Sequence, residues 1–573
     1  LATSLICYGG VNEIGGNKIL LEDAGRRVMF DFGKAFGRYG DYFDGVFIKE
    51  RVTRGLLDPL ALGLVPPLRG LLREDLVPVL DPGWLEITQV PPAGRRRARA
   101  EVGARPGASD SFWRFFEASR PHDYRDLRRD DAPPVDLVIV SHAHQDHISD
   151  LEYVSAEVPA ASSRMTAFIS KVLLDAGPAG VGGAPFVLPR VPDERGRLIA
   201  ERQAAVSRPW WFLDGDLQGQ DSEDLLASPR AFWTGTPGRQ LAAKAAAPVE
   251  GLRLRFFPVD HSLHGAIAVA VETDAGWIAY TGDLRFHGER GPLSQAFVEE
   301  LARLRPVALL CEGTRLPGGD KTTEAEVGDL CLKAVREAAG QLVVADFAPR
   351  NVERLLAFAR IAAETGRRLL LQPKDAYLMR AIHLADPSVP DLMSLRQLGV
   401  YDDPKATEQK WERLVRDRYA GIIVGPRDVT ADPGGCLLAF SLTDVADMLD
   451  LQLLLGTRPG GVYLFSNSQA YDDEQMVDLV RLWNWTNHLG LTLVGLKPAE
   501  KGPRGEITKV RPVPGFHASG HAGQAELVQL VRDVRPGLLI PIHTETPRLW
   551  AELLGDVGVK IQCPAYASPI SIP

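Results

Sequence analysis

Seven consecutive residues, Ser141-His142-Ala143-His144-Gln145-Asp146-His147, place three imidazoles and a carboxylate directly behind an apolar run, Val135-Asp136-Leu137-Val138-Ile139-Val140. The run is short and β-branched, the pattern of a buried strand. A chain that gathers such side chains where a core strand ends must build a polar pocket there. In extended backbone His142 and His144 fall on one side, because side chains alternate with period two. Asp146 and His147 come at the following turn and can aim at a second, nearby point. Histidine with carboxylate suits a borderline divalent metal, zinc first. The chain has only twelve histidines, and three lie within these six positions. A polar turn that holds them by chance is therefore a poor account.

At 573 residues the chain is too long for one compact domain, and two or three are expected. Hydrophobic residues make up 45% and charged residues 24%, as in an ordinary soluble globular protein. No apolar run reaches the length of a membrane span, and the start does not read as a signal peptide. The first residue is Leu1, which leaves the natural N-terminus open. Cys7, Cys311, Cys331, Cys436 and Cys563 are scattered, odd in number and form no C-x-x-C pair. A reducing, cytoplasmic setting is expected, without disulfides or a cysteine zinc site. The formal charge of −9 argues against a uniformly basic nucleic-acid coat but allows a local basic groove.

The first thirty residues read as three antiparallel strands: Ser4 to Tyr8, Lys18 to Glu22 and Arg26 to Phe30. A glycine-rich turn, Gly9 to Asn17, lies between the first two. No helix follows it, so it is not a dinucleotide fingerprint. Asp31-Phe32-Gly33 ends the third strand. From 34 to about 134 comes a long interval with Leu-rich and Pro-rich pieces (Leu56 to Leu72), a basic run Arg95-Arg96-Arg97-Ala98-Arg99, and Trp113, Phe115, Phe116 and Tyr124. Basic residues near aromatics suit a nucleic-acid strand, but a solvated surface insertion is the favoured expectation. A helix is expected from Ser149-Asp150. A second insertion spans 177 to 248 and carries Trp210-Trp211-Phe212, for which a lid is one reading. Alternating strands then end in Asp260-His261-Ser262 and Thr281-Gly282-Asp283, so His261 and Asp283 also stand where strands finish. His264 is a nearby competitor of His261. Pro306 to Leu310 leads to Cys311-Glu312-Gly313-Thr314. From about 316 to about 500 strands and helices alternate, which implies parallel α/β layers. Near the end stand Gly515-Phe516-His517-Ala518-Ser519-Gly520-His521 and the strand Gly537 to Ile542, followed by His543-Thr544-Glu545.

The H-x-H-x-D-H stretch resembles the signature of the metallo-β-lactamase superfamily. Glu312 at a strand exit, the alternating α/β segment, H-x-S-G-H and P-I-H-T-E resemble the further motifs of its β-CASP branch, RNase J-like, which acts on nucleic acids. Seven of the twelve histidines fall on motif positions: 142, 144, 147, 261, 517, 521 and 543. Thr544 stands where the family usually has Gly. The resemblance implies an α/β fold: a metallo-β-lactamase αββα sandwich (residues 1–315 with insertions at about 34–134 and 177–248, then 509–573) with an inserted β-CASP cap at 316–508.

It also implies two Zn²⁺ ions, with Mn²⁺ as the alternative. His142, His144 and His261 would hold one. Asp146, His147 and His543 would hold the other, and Asp283 would bridge. Asp31 would order the metal loop without touching a metal. His521 would be the general acid, oriented by Glu312. His517, Ser519, Gly520, Ser466 and Ser468 would seat phosphate or RNA. The implied function is zinc-dependent hydrolysis of RNA phosphodiester bonds, as 5′-exonuclease, endonuclease or both, acting on single-stranded RNA. His543, at a position where the DNA-processing members carry an aliphatic residue, favours RNA. Alternatives are a DNA nuclease of the same branch, a small-molecule metallo-hydrolase, and a binding protein without catalysis. The sequence runs thirty residues past His543, so a counterpart of the C-terminal domain that helps RNase J dimerise is not expected; a homodimer stays an open expectation.

Overall fold

The computed structural model describes residues 3–44, 47–78, 85–87, 102–104, 108–116, 134–177, 183–201, 206–215, 249, 251–319, 321–348, 350–402, 407–467, 473–555 and 557–573. The basic run 95–99, Tyr124 and Ser468 lie outside these residues.

Two mixed sheets face each other. In the first, the spatial order is Trp210–Phe212, Ala160–Ser162, Leu137–Ile139, Arg26–Phe30, Lys18–Asp23, Ser4–Gly9, Pro569–Ser571. In the second it is Arg253–Pro258, Ile267–Thr273, Gly276–Tyr280, Ala308–Glu312, Leu538–Ile542, Lys560–Ile561. Alternation along each strand sorts the side chains into layers. Leu5, Cys7, Leu137 and Ile139 meet Ile278, Leu310, Ile540 and Ile542 between the sheets. The opposite faces carry Ile6, Tyr8 and Val138, packed under helix Arg164–Ala176, and Leu309, Cys311 and Leu539, packed under helices Gly291–Leu304 and Gln524–Val534. The result is the αββα sandwich.

A third sheet of seven strands forms the cap: Ile423–Val424, Leu398–Tyr401, Arg368–Leu371, Cys436–Ala439, Val343–Asp346, Gly461–Phe465, Leu491–Val494. Every pairing in it is parallel. Such sheets bury both faces, and here helices cover both, with Leu355 and Phe358 on one side and Met448, Leu451 and Leu482 on the other. Helix Pro373–Ala385 docks the cap on helix Arg164–Ala176, where Tyr377 donates to Asp175 over 2.8 Å. The hairpin Leu496–Lys501 with Ile507–Pro512 crosses the boundary expected at residue 508. The chain rejoins the second sheet's helix layer only afterwards, at Gln524.

Several local expectations change. Residues 149–153 form a 3-10 turn, and the helix proper begins at Arg164, capped by Ser163, whose hydroxyl accepts from the Thr166 amide. Among the described residues of the interval after residue 34, many are core and not solvated surface. Leu56, Leu68, Leu72, Phe112, Trp113 and Phe116 are buried over the first sheet, and only Phe115 of those aromatics is exposed. Trp210-Trp211-Phe212 is the edge strand of the first sheet, parallel to Ala160–Ser162, with Trp210 donating to Ser162 over 2.9 Å. It is structural and not a lid. Four cysteines are buried free thiols and Cys563 is an exposed one. Among the described residues no helix is long and apolar enough to cross a membrane.

Candidate active site

Both sheets release their loops at one edge. Asp31 follows Phe30, Ser141 follows the strand Leu137–Ile139 by two residues, His261 follows Pro258 by three, Asp283 follows Tyr280 by three, Glu312 ends its strand, and His543 follows Ile542. The histidine loop is sewn to the loop after the third strand. Gly16 donates its amide to Asp146 O over 3.0 Å, Phe32 to His147 O over 2.9 Å, and Lys34 to Gln145 O over 3.1 Å. This contact explains Gly33: a Cβ there would stand 1.7 Å from the Asp146 carbonyl oxygen.

Two nests of ligand atoms result, sharing Asp283. One comprises His142, His144, His261 and Asp283; the other comprises Asp146, His147, His543 and Asp283. Nε2 of His142 and Nε2 of His261 each lie 3.0 Å from Nδ1 of His144. Asp283 Oδ2 lies 3.0 Å from His147 Nε2, 3.7 Å from His142 Nε2 and 3.7 Å from His543 Nε2. Asp146 Oδ2 is 3.4 Å from His543 Nε2 and 3.8 Å from His147 Nε2. His264, the competitor of His261, belongs to neither nest; burial pushes its ring down to about 3.

The far nitrogens of most of these rings are held by protein acceptors. His147 Nδ1 donates to Asp31 over 2.7 Å, His543 Nδ1 to Thr314 Oγ1 over 2.8 Å, His142 Nδ1 to Ser141 Oγ over 3.0 Å, and His261 Nδ1 to the carbonyl of Gly520. Such contacts fix the tautomer and turn the bare nitrogen inward. Asp31 also accepts from the Ser141 amide and hydroxyl, each over 2.7 Å, and from Tyr280. Asp31 and His543 both sit at positive φ, 55° and 51°, so the backbone is strained at two site positions.

The donor set fits divalent cations. Asp283 Oδ1 is buried without a hydrogen-bond partner, although the carboxylate lies between the two nests. Burial, and then the neighbouring imidazoles, hold His142 and His261 far below the usual histidine range, so both rings are neutral and could offer a nitrogen to a cation; burial brings His144 down to about 4. Burial would lift Asp146 and Asp283, but His147 and His543 keep both below the usual carboxylate range. Burial would lower His147, but Asp283, Asp146 and Asp31 raise it well above its ordinary value. Without a cation, a proton on His147 compensates these carboxylates. A divalent ion would take its place.

His521 stands at the rim, with Nδ1 3.1 Å from Glu312 Oε2 and 3.8 Å from Asp283 Oδ2. Burial opposes its charged form, but Glu312 and Asp283 raise it to about 9. Glu312 is wholly buried and also accepts from the amides of Leu284 (3.0 Å) and Thr314 (3.3 Å), which identifies it as an orienting acceptor.

Of the remaining expected residues, Ser466, Ser519 and Gly520 have partners within the fold. Ser466 is 2% exposed; its hydroxyl donates to Phe516 O over 2.8 Å and accepts from Arg354 over 2.6 Å, so it is not offered to a ligand. Ser519 Oγ accepts from the His521 amide over 3.1 Å, while its carbonyl accepts from His287 over 2.9 Å. The Gly520 carbonyl orients His261. Burial, and then the nearby arginines, lower His517 to about 4.

Sequence reasoning missed Ser141, Tyr280 and Thr314. A serine directly before the first histidine and a threonine two after Glu312 were the available signals. It also missed Arg285, which is wholly buried and ion-paired to Asp260 (3.2 Å), Glu324 (2.8 Å) and Glu353 (2.7 Å) across the junction of sandwich and cap.

Comparisons with known proteins point the same way. Residues 106–324 match the family model of the metallo-beta-lactamase superfamily, and residues 509–564 match that of the Zn-dependent metallo-hydrolase RNA specificity domain. These matches support the RNase J-like β-CASP resemblance read from the sequence. The chain is similar to Ribonuclease J of Sinorhizobium meliloti, 22% identical over 313 residues, covering 54% of this chain and 48% of that protein. It is also similar to Ribonuclease J 1 of Streptococcus pyogenes, 24% identical over 317 residues (54% and 50%), and to Ribonuclease J of Mycobacterium tuberculosis, 27% identical over 314 residues (53% and 49%). The chain thus spans about half the length of these curated relatives. A solved structure of a protein of unknown function from Enterococcus faecalis V583 shares the fold, with a TM-score of 0.59 and 17% identity over the whole of both chains.

Proposed function

We propose that this chain is a metal-dependent ribonuclease that hydrolyses phosphodiester bonds in single-stranded RNA. The observation that carries this reading is the His521–Glu312 pair, 3.1 Å apart, set against the Asp283-centred ligand nests. Metal nests alone suit many hydrolases. A phosphodiester adds the demand for a proton on a departing sugar oxygen, and His521 can supply it.

His142, His144 and His261 would hold one ion, Asp146, His147 and His543 the other, and Asp283 would touch both. Zinc suits the imidazole-rich set, and manganese is the alternative. Divalent ions there supply Lewis acidity to a phosphoryl group and activate water at neutral pH. Glu312 orients the His521 ring and raises its proton affinity. With Asp283 shared by a cation, part of that elevation is lost, which brings the ring closer to neutral pH. Asp31, Thr314 and the Gly520 carbonyl keep the ligand rings in place. In this reading residues 1–315 and 513–573 form the metal-bearing sandwich, and the cap runs from 316 through the hairpin ending at Pro512, with substrate between them.

The test is cleavage of 5′-labelled single-stranded RNA, bearing a monophosphate or a triphosphate, beside a matched DNA. Mononucleotide release favouring monophosphate RNA means 5′-exonucleolytic action. Internal fragments from either end group mean endonucleolytic action. Zinc-loaded protein that leaves RNA intact overturns the reading.

A further inference from the structure

Arg350 lies between the cap strand Val343–Asp346 and helix Val352–Glu364, which Asn351 caps. This turn is pinned from both sides. Asn351 donates to Glu324 over 3.3 Å, Glu353 accepts from Arg285 over 2.7 Å, and Arg354 donates to Ser466 O over 2.7 Å. Arg285 is in turn tied to Asp260, next to His261, and to the Ser519 carbonyl, two residues before His521. The turn that carries Arg350 is therefore tied, through Glu353 and Arg285, to the loops of His261 and His521.

Its side chain is half-buried and makes no hydrogen bond or ion pair among the described residues. Its charge is nevertheless felt at His144 and Asp146 on the metal loop and at Asp375 on the cap. Asp375 is 5% exposed and its Oδ2 has no hydrogen-bond partner. An arginine partly withdrawn from water without a paired anion loses solvation that an incoming anion would restore. The positive end of a thirteen-residue helix adds to the field at this point.

We propose that Arg350 binds a backbone phosphate of the substrate strand, next to the phosphate being cleaved. This rests on the ribonuclease reading and adds to it a cap-borne phosphate site. The guanidinium stands beyond ion-pair distance of Asp146, so it serves a neighbouring phosphate and not the one at the metal nests. Its planar fork donates two parallel N–H bonds to phosphate oxygens. In a chain of net charge −9, one such cation at the cleft counts for much of the local attraction.

The test compares the wild-type protein with Arg350→Gln and Arg350→Lys at equal metal content. Substrates are single-stranded RNA and bis(p-nitrophenyl) phosphate, a diester with one phosphate. Arg350→Gln is expected to lower kcat/KM on RNA by about tenfold or more, mainly through KM, with Arg350→Lys recovering part of it. The loss on the one-phosphate diester is expected to be several-fold smaller. The slope of log kcat/KM against log salt is expected to flatten by about 0.7, one single-strand phosphate contact. An unchanged KM, an unchanged salt slope, or equal losses on both substrates overturns the proposal. If the wild-type protein does not cleave RNA, the ribonuclease reading fails and this proposal with it. With wild-type cleavage intact, the variants alone decide.

Discussion

Thr314 Oγ1 lies 2.8 Å from Nδ1 of His543, and this contact turns the Nε2 of that ring toward Asp146 and Asp283. Removing the hydroxyl leaves the ring free to choose the other tautomer. Thr314→Val is therefore expected to weaken binding of one of two divalent ions by about 10–100-fold while sparing the other. Metal titration followed by elemental analysis reads this directly, and equal weakening of both ions would refute it.

His521 and Glu312 separate catalysis from metal holding. His521→Ala should keep full metal content and lose about 10²–10⁴-fold in kcat. A parallel fall in zinc would make His521 a ligand. Glu312→Gln removes the carboxylate that, against burial, helps lift His521 to about 9. The ring then gives up its proton at lower pH, so the alkaline limb of the kcat profile moves down.

Metal loading should expel a proton. Burial opposes charge on His147, but Asp283, Asp146 and Asp31 raise it well above its ordinary value, so the metal-free ring is protonated at neutral pH. Binding then strengthens as pH rises. Calorimetry in buffers of different ionisation enthalpy should show net proton release at pH 7, and buffer-independent heats would contradict it.

Glu324 makes the sandwich–cap junction sensitive to acid. Burial would raise its carboxyl, but Arg354 and Arg285 hold it down at about 2. A carboxyl depressed in the folded state adds stability above its unfolded value near 4.5. That stability is lost as pH falls from there toward 2, and amounts to about 3 kcal/mol. Denaturant melts between pH 5 and pH 2 should therefore steepen in their loss of stability relative to Glu324→Gln, which starts lower and changes less.

Trp210 anchors an edge strand and does not cover the cleft. It is 2% exposed and bonded to Ser162. Trp210→Ala is expected to cost about 3–5 kcal/mol of stability with little change in KM. A large KM change in stable protein would restore the lid reading.

Most of the ligand set was legible because it sits where strands end. Short apolar runs announced the strands, and histidines and acids directly behind them announced the loops. Period-two patterning likewise gave the first three strands within a residue of their observed ends. Supporting contacts were harder to read. Ser141, Tyr280 and Thr314 are ordinary residue types whose roles depend on partners far away in the chain, as when Tyr280 reaches Asp31. The long interval after residue 34 misled for a different reason. Its Leu-rich pieces carry no clean periodicity, yet they pack as irregular turns over the first sheet. In the cap, Leu398–Tyr401 and Cys436–Ala439 escaped notice because four-residue apolar strands in a parallel sheet lack alternation.

The strand Leu538–Ile542 lies between Ala308–Glu312 and Lys560–Ile561, parallel to both, although the entire cap separates it in sequence from the first of these. His543 and the His521 loop travel with this late segment. A nascent chain leaving the ribosome therefore passes through a stage in which one ligand nest can assemble only partly, with the slot for its last central strand still open. The nest that includes His543 is complete only once the segment beyond the cap has paired into that slot.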